Sequence, residues 1–193
     1  MSAAGPPASS RPGNMDRLPF RATPLASPYE GFDTLPVAVL LDNVRSMYNV
    51  GSFFRTADAA AAEKLLLTGI TACPPKSGIR KTALGAEETV RWEHERDPMP
   101  VLDGLRERGY EIAAIETTPH AVDLFAWVPS FPVCIVFGHE VDGIRPEVAA
   151  RCDTHIRIPM LGSKHSLNVA TAGGVVLFEL LRKYRALAKR AGA

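Results

Sequence analysis

The stretch DNVRSMYNVGSFFRTADAAA, residues 42–61, combines a clear helix start with an oddly placed arginine. Asn49 is a good N-cap, because its side-chain oxygen can accept from an N–H of the first helical turn. Behind it, Val50, Phe53, Phe54, Ala57, Ala60 and Ala61 fall at the i, i+3, i+4, i+7 spacing of one buried helix face. Arg55 therefore points away from the core. At about 100° per residue Gly51 shares its side of the helix, with Ser52 close by, so a bulky partner has room to approach the guanidinium. An exposed helix arginine is ordinarily only a surface charge, here with Asp58 as its candidate partner, and that reading stands beside the functional one.

Short apolar runs flank this helix and alternate with helical stretches along the rest of the chain. Residues 37–41 read as a buried strand and 64–68 as a second. A long loop follows, TGITACPPKSGIRKTALGAEET (68–89), carrying Lys76, Arg80 and Lys81. Loops of that length inside a compact domain are often functional, and a variable surface loop is an equally good reading. A strand at 90–94, a helix at 99–108, a strand at 110–115 and a turn of helix at 123–127 continue the alternation, which argues for a parallel α/β sheet.

The run FPVCIVF, 131–137, is the most apolar strand, as a central strand covered on both faces should be. It ends in GHEVDGI. Ligands of open parallel sheets sit beyond the carboxyl ends of the strands, which is where Gly138, Glu140 and Gly143 fall. A tight turn explains the glycines but not Glu140. A short strand at 155–159 runs into a similar loop, MLGSKHSLN, and Ser166 caps a last helix that continues to about residue 190. Gly173 and Gly174 lie inside that helix, each costing about 1 kcal/mol relative to alanine. With Ala170 they make a small-residue face, continued by Leu177 and Leu181. A close approach within the fold or at a subunit interface is the natural compensation. Lys183, Arg185, Lys189 and Arg190 crowd the helix end, where cations favour the dipole, and RNA contact there is a secondary reading.

The 193 residues make one domain of ordinary size, placed at 35–193. Residues 1–34 are rich in Pro, Ser, Ala and Gly with no apolar period, the composition of a flexible tail. Arg11, Arg17 and Arg21 also allow an organelle transit peptide, although the prolines oppose an amphipathic helix. With 46% hydrophobic and 22% charged residues and no long apolar run, nothing reads as a membrane anchor. A net charge of +1 means that any nucleic-acid contact comes from a local patch. Cys73, Cys134 and Cys152 fit neither a zinc knuckle nor a disulfide framework, so the expected setting is a reducing cytoplasm. His139-Glu140 lacks the second histidine of a metalloprotease helix.

Taken in order, NVGSFFRT, VFGHEVDGI and IPMLGSKHSLNVA resemble the three motifs of the SpoU/TrmH branch of the SPOUT RNA methyltransferases, over about residues 36–185. The resemblance implies a parallel sheet flanked by helices with a C-terminal deep trefoil knot, S-adenosylmethionine as cofactor, a homodimer, and methyl transfer to a ribose 2′-hydroxyl of tRNA or rRNA. Nothing in the periodicity indicates a knot. Asn49 and Arg55 match the first motif, Glu140 and Gly143 the second, Ser166 and Asn168 the third. The cofactor is expected on Phe137, Gly138, Gly143, Ile158, Met160, Leu167 and Ala170. RNA is expected on Arg55, Lys76, Arg80 and Lys81.

Arg55 matches the family's proposed general base, but a guanidinium stays protonated at physiological pH. Its part is therefore read as orienting and polarising the hydroxyl beside a substrate phosphate, with base catalysis helped by that phosphate left open. Asn49, Ser166 and Asn168 hold the groups in place, and Glu140 anchors its loop. Two other readings remain at this stage: base methylation, as in another SPOUT branch, and an RNA-binding dimer without catalysis.

Overall fold

The computed structural model describes residues 3–4 and 34–191, so the expected tail, apart from Ala3, Ala4 and residue 34, lies outside the described residues. In chain order the elements are β1 (Ala3–Ala4), β2 (Leu35–Asp42), α1 (Met47–Ala59), β3 (Ala62–Thr68), α2 (Ser77–Ala83), a 3-10 turn (Ala86–Glu88), β4 (Trp92–Glu95), α3 (Pro98–Glu107), β5 (Glu111–Ile115), β6 (Val122–Asp123), β7 (Val133–Phe137), α4 (Pro146–Ala149), β8 (Thr154–Arg157) and α5 (Val169–Ala191). They build one sheet in the order β1-β4-β3-β2-β7-β5-β8-β6. Every pairing is parallel except that of β1 with β4.

The central strands β2, β3 and β7 are buried on both faces, which is why they read as apolar runs and not as an alternation. On one face Phe53 and Phe54 of α1 and Val176, Leu177 and Leu180 of α5 cover Leu41, Leu65, Leu67 and Phe137. On the other, Leu102 and Leu105 of α3 cover Leu40, Leu66, Ile112 and Val136. Each such side chain contributes about 1.5–3 kcal/mol on leaving water, so the sheet's rigidity, and the placement of loops at its ends, follows from these layers.

Several expectations are corrected. Helix α1 is capped by Ser46, not Asn49: the Ser46 Oγ accepts from the Asn49 N–H at 3.3 Å, which leaves the Asn49 side chain free for longer reach. Ala61 lies past the helix, in the left-handed region with a φ of +53°. The 68–89 loop contains α2 and the 3-10 turn. Helix α2 also fills the space expected beside Gly51, where a Cβ would collide with Thr82 Oγ1 and the Ile79 carbonyl. Helix α5 is capped by Asn168 and not Ser166, its Oδ1 accepting from the N–H groups of Ala170 at 3.0 Å and Thr171 at 3.3 Å. Gly173 packs within the fold against the Phe53 ring. Lys183 is no surface cation: its Nζ donates to the Leu124 carbonyl at 2.6 Å and also to that of Trp127.

One feature of the register bears on the site. Ile156 of β8 pairs with Ile115 of β5 on one side and with Val122 of β6 on the other. The link 116–121 thus passes from one side of β8 to the other. Two strands adjacent in sequence are parted by one that the chain makes later.

Candidate active site at the strand ends

Strand β7 delivers the loop 138–144, and the loop closes on itself. His139 N–H donates to the Gly143 carbonyl at 3.0 Å and Gly143 N–H to the His139 carbonyl at 2.9 Å. Gly143 has a φ of +72°, which a side chain would strain. A Cβ on Gly138 would run into the Gly143 backbone. The tight turn lifts Glu140 towards the start of α1.

There the Glu140 carboxylate accepts from the N–H groups of Arg45 and Ser46, both at 3.0 Å, and from Asn49 Nδ2 at 2.9 Å. Asn49 Oδ1 in turn accepts from Asn168 Nδ2 at 3.1 Å, and Asn168 caps α5. One chain of hydrogen bonds therefore joins the three motif segments. Partial burial raises the Glu140 pKa, but the backbone donors of Arg45 and Ser46 and the Asn49 amide outweigh it and hold the carboxyl below its ordinary value.

Two further ties fix the same loop. Glu116, at the end of β5, accepts from Ile144 N–H at 3.2 Å and from Thr117 N–H at 3.0 Å. Arg145 forks onto the fully buried Asp42 carboxylate, Nε to Oδ2 at 2.8 Å and Nη2 to Oδ1 at 3.1 Å, and Thr68 Oγ1 donates to the same group at 2.9 Å. The Asp42 hydrogen bonds raise the Arg145 pKa, so the fork stays charged.

Beyond the ends of β5, β7 and β8 lies a cavity of about 400 Å³. Of the residues expected around a cofactor, Phe137, Gly138, Gly143, Ile158, Met160 and Leu167 line it, as do Glu140, Ser166 and Asn168. Ala170 does not; it packs against the core. Arg55 is exposed on α1 and does not line the cavity. Its expected partner Asp58 instead accepts from Thr89 Oγ1 at 3.0 Å. Lys76, Arg80 and Lys81 lie exposed on and just before α2, outside the cavity, with Arg80 3.8 Å from Glu87. Among the described residues no group of three or more His, Cys, Asp or Glu side chains could hold a metal ion.

Residues 36–178 match the family model described as the SpoU rRNA Methylase family. The chain belongs to this family. It is 35% identical over 155 residues to the 23S rRNA (guanosine-2′-O-)-methyltransferase RlmB of Ralstonia nicotianae, covering 80% of this chain and 61% of the relative. The chain thus spans about three fifths of the length of that relative. Among solved structures it resembles the TrmH/SpoU tRNA modifying enzyme of A. aeolicus, with a TM-score of 0.73, 28% identity, and 80% and 78% of the two chains covered. It also resembles the SpoU methyltransferase AviRb of Streptomyces viridochromogenes in complex with AdoMet, with a TM-score of 0.71, 27% identity, and 79% and 58% covered.

In this SpoU fold the polar lining residues that sequence reasoning missed include Glu116, Thr117, Arg157 and His165. The first two follow directly on a strand, so the rule that picked out Gly138 and Glu140 at the end of β7 could have found them at the end of β5. Arg145 carried no local signal, since its partner Asp42 stands in β2.

Proposed function

We propose that this SpoU chain is an S-adenosylmethionine-dependent RNA methyltransferase that modifies a ribose 2′-hydroxyl of tRNA or rRNA. The observation that carries this reading is the cavity at the strand ends, walled by the second and third motif loops and tied to α1 through Glu140, Asn49 and Asn168. The residues present fit the cofactor. The cavity lies in the range of about 300–1,000 Å³ that small molecules occupy, and its walls combine loop backbone with the apolar side chains of Ile158, Met160 and Leu167. When bound, S-adenosylmethionine supplies an electrophilic methyl group on its sulfonium.

The chain's own residues supply position and charge. Glu140, Asn49 and Asn168 hold the loops in one register, so that the reacting groups meet without a search. Ser166 presents a hydroxyl to the cavity. Arg55 orients and polarises the ribose hydroxyl beside a substrate phosphate, since its guanidinium cannot accept a proton at neutral pH. Lys76, Arg80 and Lys81 add phosphate contacts.

The working form in this reading is a homodimer, with the C-terminal segment threaded as a trefoil knot and residues 35–193 as the catalytic domain. Two features support the dimer: Phe178 is half-exposed in the middle of α5, and Arg55 stands outside the cavity of its own chain. Passage of the 116–121 link across β8 supports the threading. Free thiols at Cys73, Cys134 and Cys152 suit a reducing cytoplasm, and no helix among the described residues is long and apolar enough to cross a membrane.

The test is incubation of the purified protein with methyl-labelled S-adenosylmethionine and total RNA, followed by digestion to nucleosides and mass spectrometry, for wild type and Arg55→Ala. Label on ribose that disappears in the variant is the expected result. Label on a base would move the protein to another SPOUT branch. Cofactor binding without transfer to any RNA would make it a binding module.

A further inference from the structure

Beside the start of α1 lies a second cavity of about 330 Å³, lined by Arg45, Ser46, Asn49, His139, Glu140 and Val141. His139, Glu140 and Val141 also line the first cavity, so the two spaces adjoin at the tip of one loop. A methyl donor and its acceptor must meet in line at contact distance. The acceptor is therefore bound where the second space adjoins the first, at that loop tip.

The chemistry of the second cavity is that of an anionic, hydrogen-bonding guest. The N–H groups of Arg45 and Ser46 are already taken by Glu140, so the helix start itself offers an anion nothing. The cation is the Arg45 side chain, which is exposed and forms no hydrogen bond or ion pair with a described residue. A guanidinium in that state suits a phosphate, to which its planar donors can fork.

His139 supplies a second donor, and its surroundings decide which nitrogen carries the hydrogen. The N–H groups of Val141 and Asp142 point at Nδ1 from 3.3 and 3.2 Å, and Asp142 Oδ2 lies 3.0 Å from the same atom. In a neutral ring Nδ1 accepts from the two amides; in a charged ring it donates to Asp142. Either way Nε2 bears a hydrogen. Nε2 has no partner among the described residues, although the side chain is only 16% exposed. His139 therefore presents a donor at this loop tip and cannot act there as a base.

We propose that the second cavity is the acceptor-nucleotide subsite, in which Arg45 holds a phosphate of the target RNA and the His139 Nε2–H donates to an acceptor atom of the same nucleotide. This rests on the reading of the protein as an RNA methyltransferase. Both are substrate-binding residues.

The experiment measures S-adenosylmethionine affinity by calorimetry, and initial rates against total RNA from cells lacking the gene, for the full-length chain. Arg45→Ala should raise the apparent KM for RNA by about tenfold and lower the slope of its salt dependence by about one, with cofactor affinity unchanged. His139→Ala should also raise that KM, and His139→Gln should recover most of the loss, because its amide nitrogen can stand where Nε2 stands. Wild-type KM and salt slope in both alanine variants would overturn the subsite. So would loss of cofactor affinity in Arg45→Ala, since the subsite gives Arg45 to RNA alone. A wild-type protein that methylates no RNA would instead remove the functional reading on which the subsite rests.

Discussion

At the scale of single residues, Glu140 and Asp42 are two carboxylates with opposite demands. Glu140 is exposed and gathers three donors, which hold its pKa below the ordinary value despite the opposing pull of burial. Because the folded group titrates below the unfolded one, its stabilisation is complete above the unfolded value of about 4.3 and is lost as the pH falls through the lowered folded value. Urea midpoints taken from pH 7 to pH 3 should fall more steeply for wild type than for Glu140→Gln, and the curves should converge at the acid end. Solvent screening keeps the difference under about 1 kcal/mol. Asp42 is buried, and its charge is compensated mainly by the Arg145 fork. Removing one partner of such a pair strands a charge away from water, so Arg145→Ala should cost about 3 kcal/mol in chemical denaturation. Arg145→Lys should recover only part, since a single ammonium cannot fork.

At the scale of elements, the two adjacent glycines of α5 make opposite predictions. A Cβ at Gly173 would collide with the Phe53 ring, which is buried under the sheet, whereas one at Gly174 would meet only Thr56 Cγ2, at 4.0 Å. Gly174→Ala should therefore stabilise the protein by up to about 1 kcal/mol through helix propensity. Gly173→Ala gains the same propensity but overpacks the core, at about 1–3 kcal/mol, and should come out destabilising. Thermal unfolding of the two single variants separates these outcomes. The same helices show how far the elements were legible. The apolar period of α1 and the continuous run of β7 follow from burial on one face or on two, and a sequence displays that directly. The caps were displaced because Ser46 and Asn49, and likewise Ser166 and Asn168, are all competent caps. The choice between Ser46 and Asn49 goes with the contact of Asn49 to Glu140, far along the chain. Helix α2 went unseen because seven residues with a single large apolar one, Ile79, show no helical period. The tie of Glu116 to Ile144 depends on β5 lying beside β7, and that of Arg145 on Asp42 far away in β2, so neither contact is written in the local sequence.

At the scale of the whole molecule, a net charge of +1 leaves no general attraction for RNA, so association depends on where the cations stand. Lys76, Arg80 and Lys81 are exposed together around α2, and α2 is docked on the first turns of α1 by the bond from Thr82 Oγ1 to the Tyr48 carbonyl at 2.9 Å. Replacing Lys76 and Lys81 by alanine should weaken RNA binding at low salt and flatten its salt dependence by roughly one unit of slope per cation. Filter binding across a salt series would read this directly, and an unchanged slope would remove α2 from the RNA surface.

Strand β6 pairs with β8 alone, and β8 leaves the ribosome well after β5 and β6 have done so. During synthesis the nascent chain can lay down β2, β3, β4, β5 and β7, yet it must keep a slot open beside β5 until residues 154–157 arrive to fill it. The last wall of the cavity, at 158–172, follows them out. A ribosome stalled before that point would hold a nearly complete sheet with no pocket, so ligand binding at the strand ends waits until translation has passed this segment.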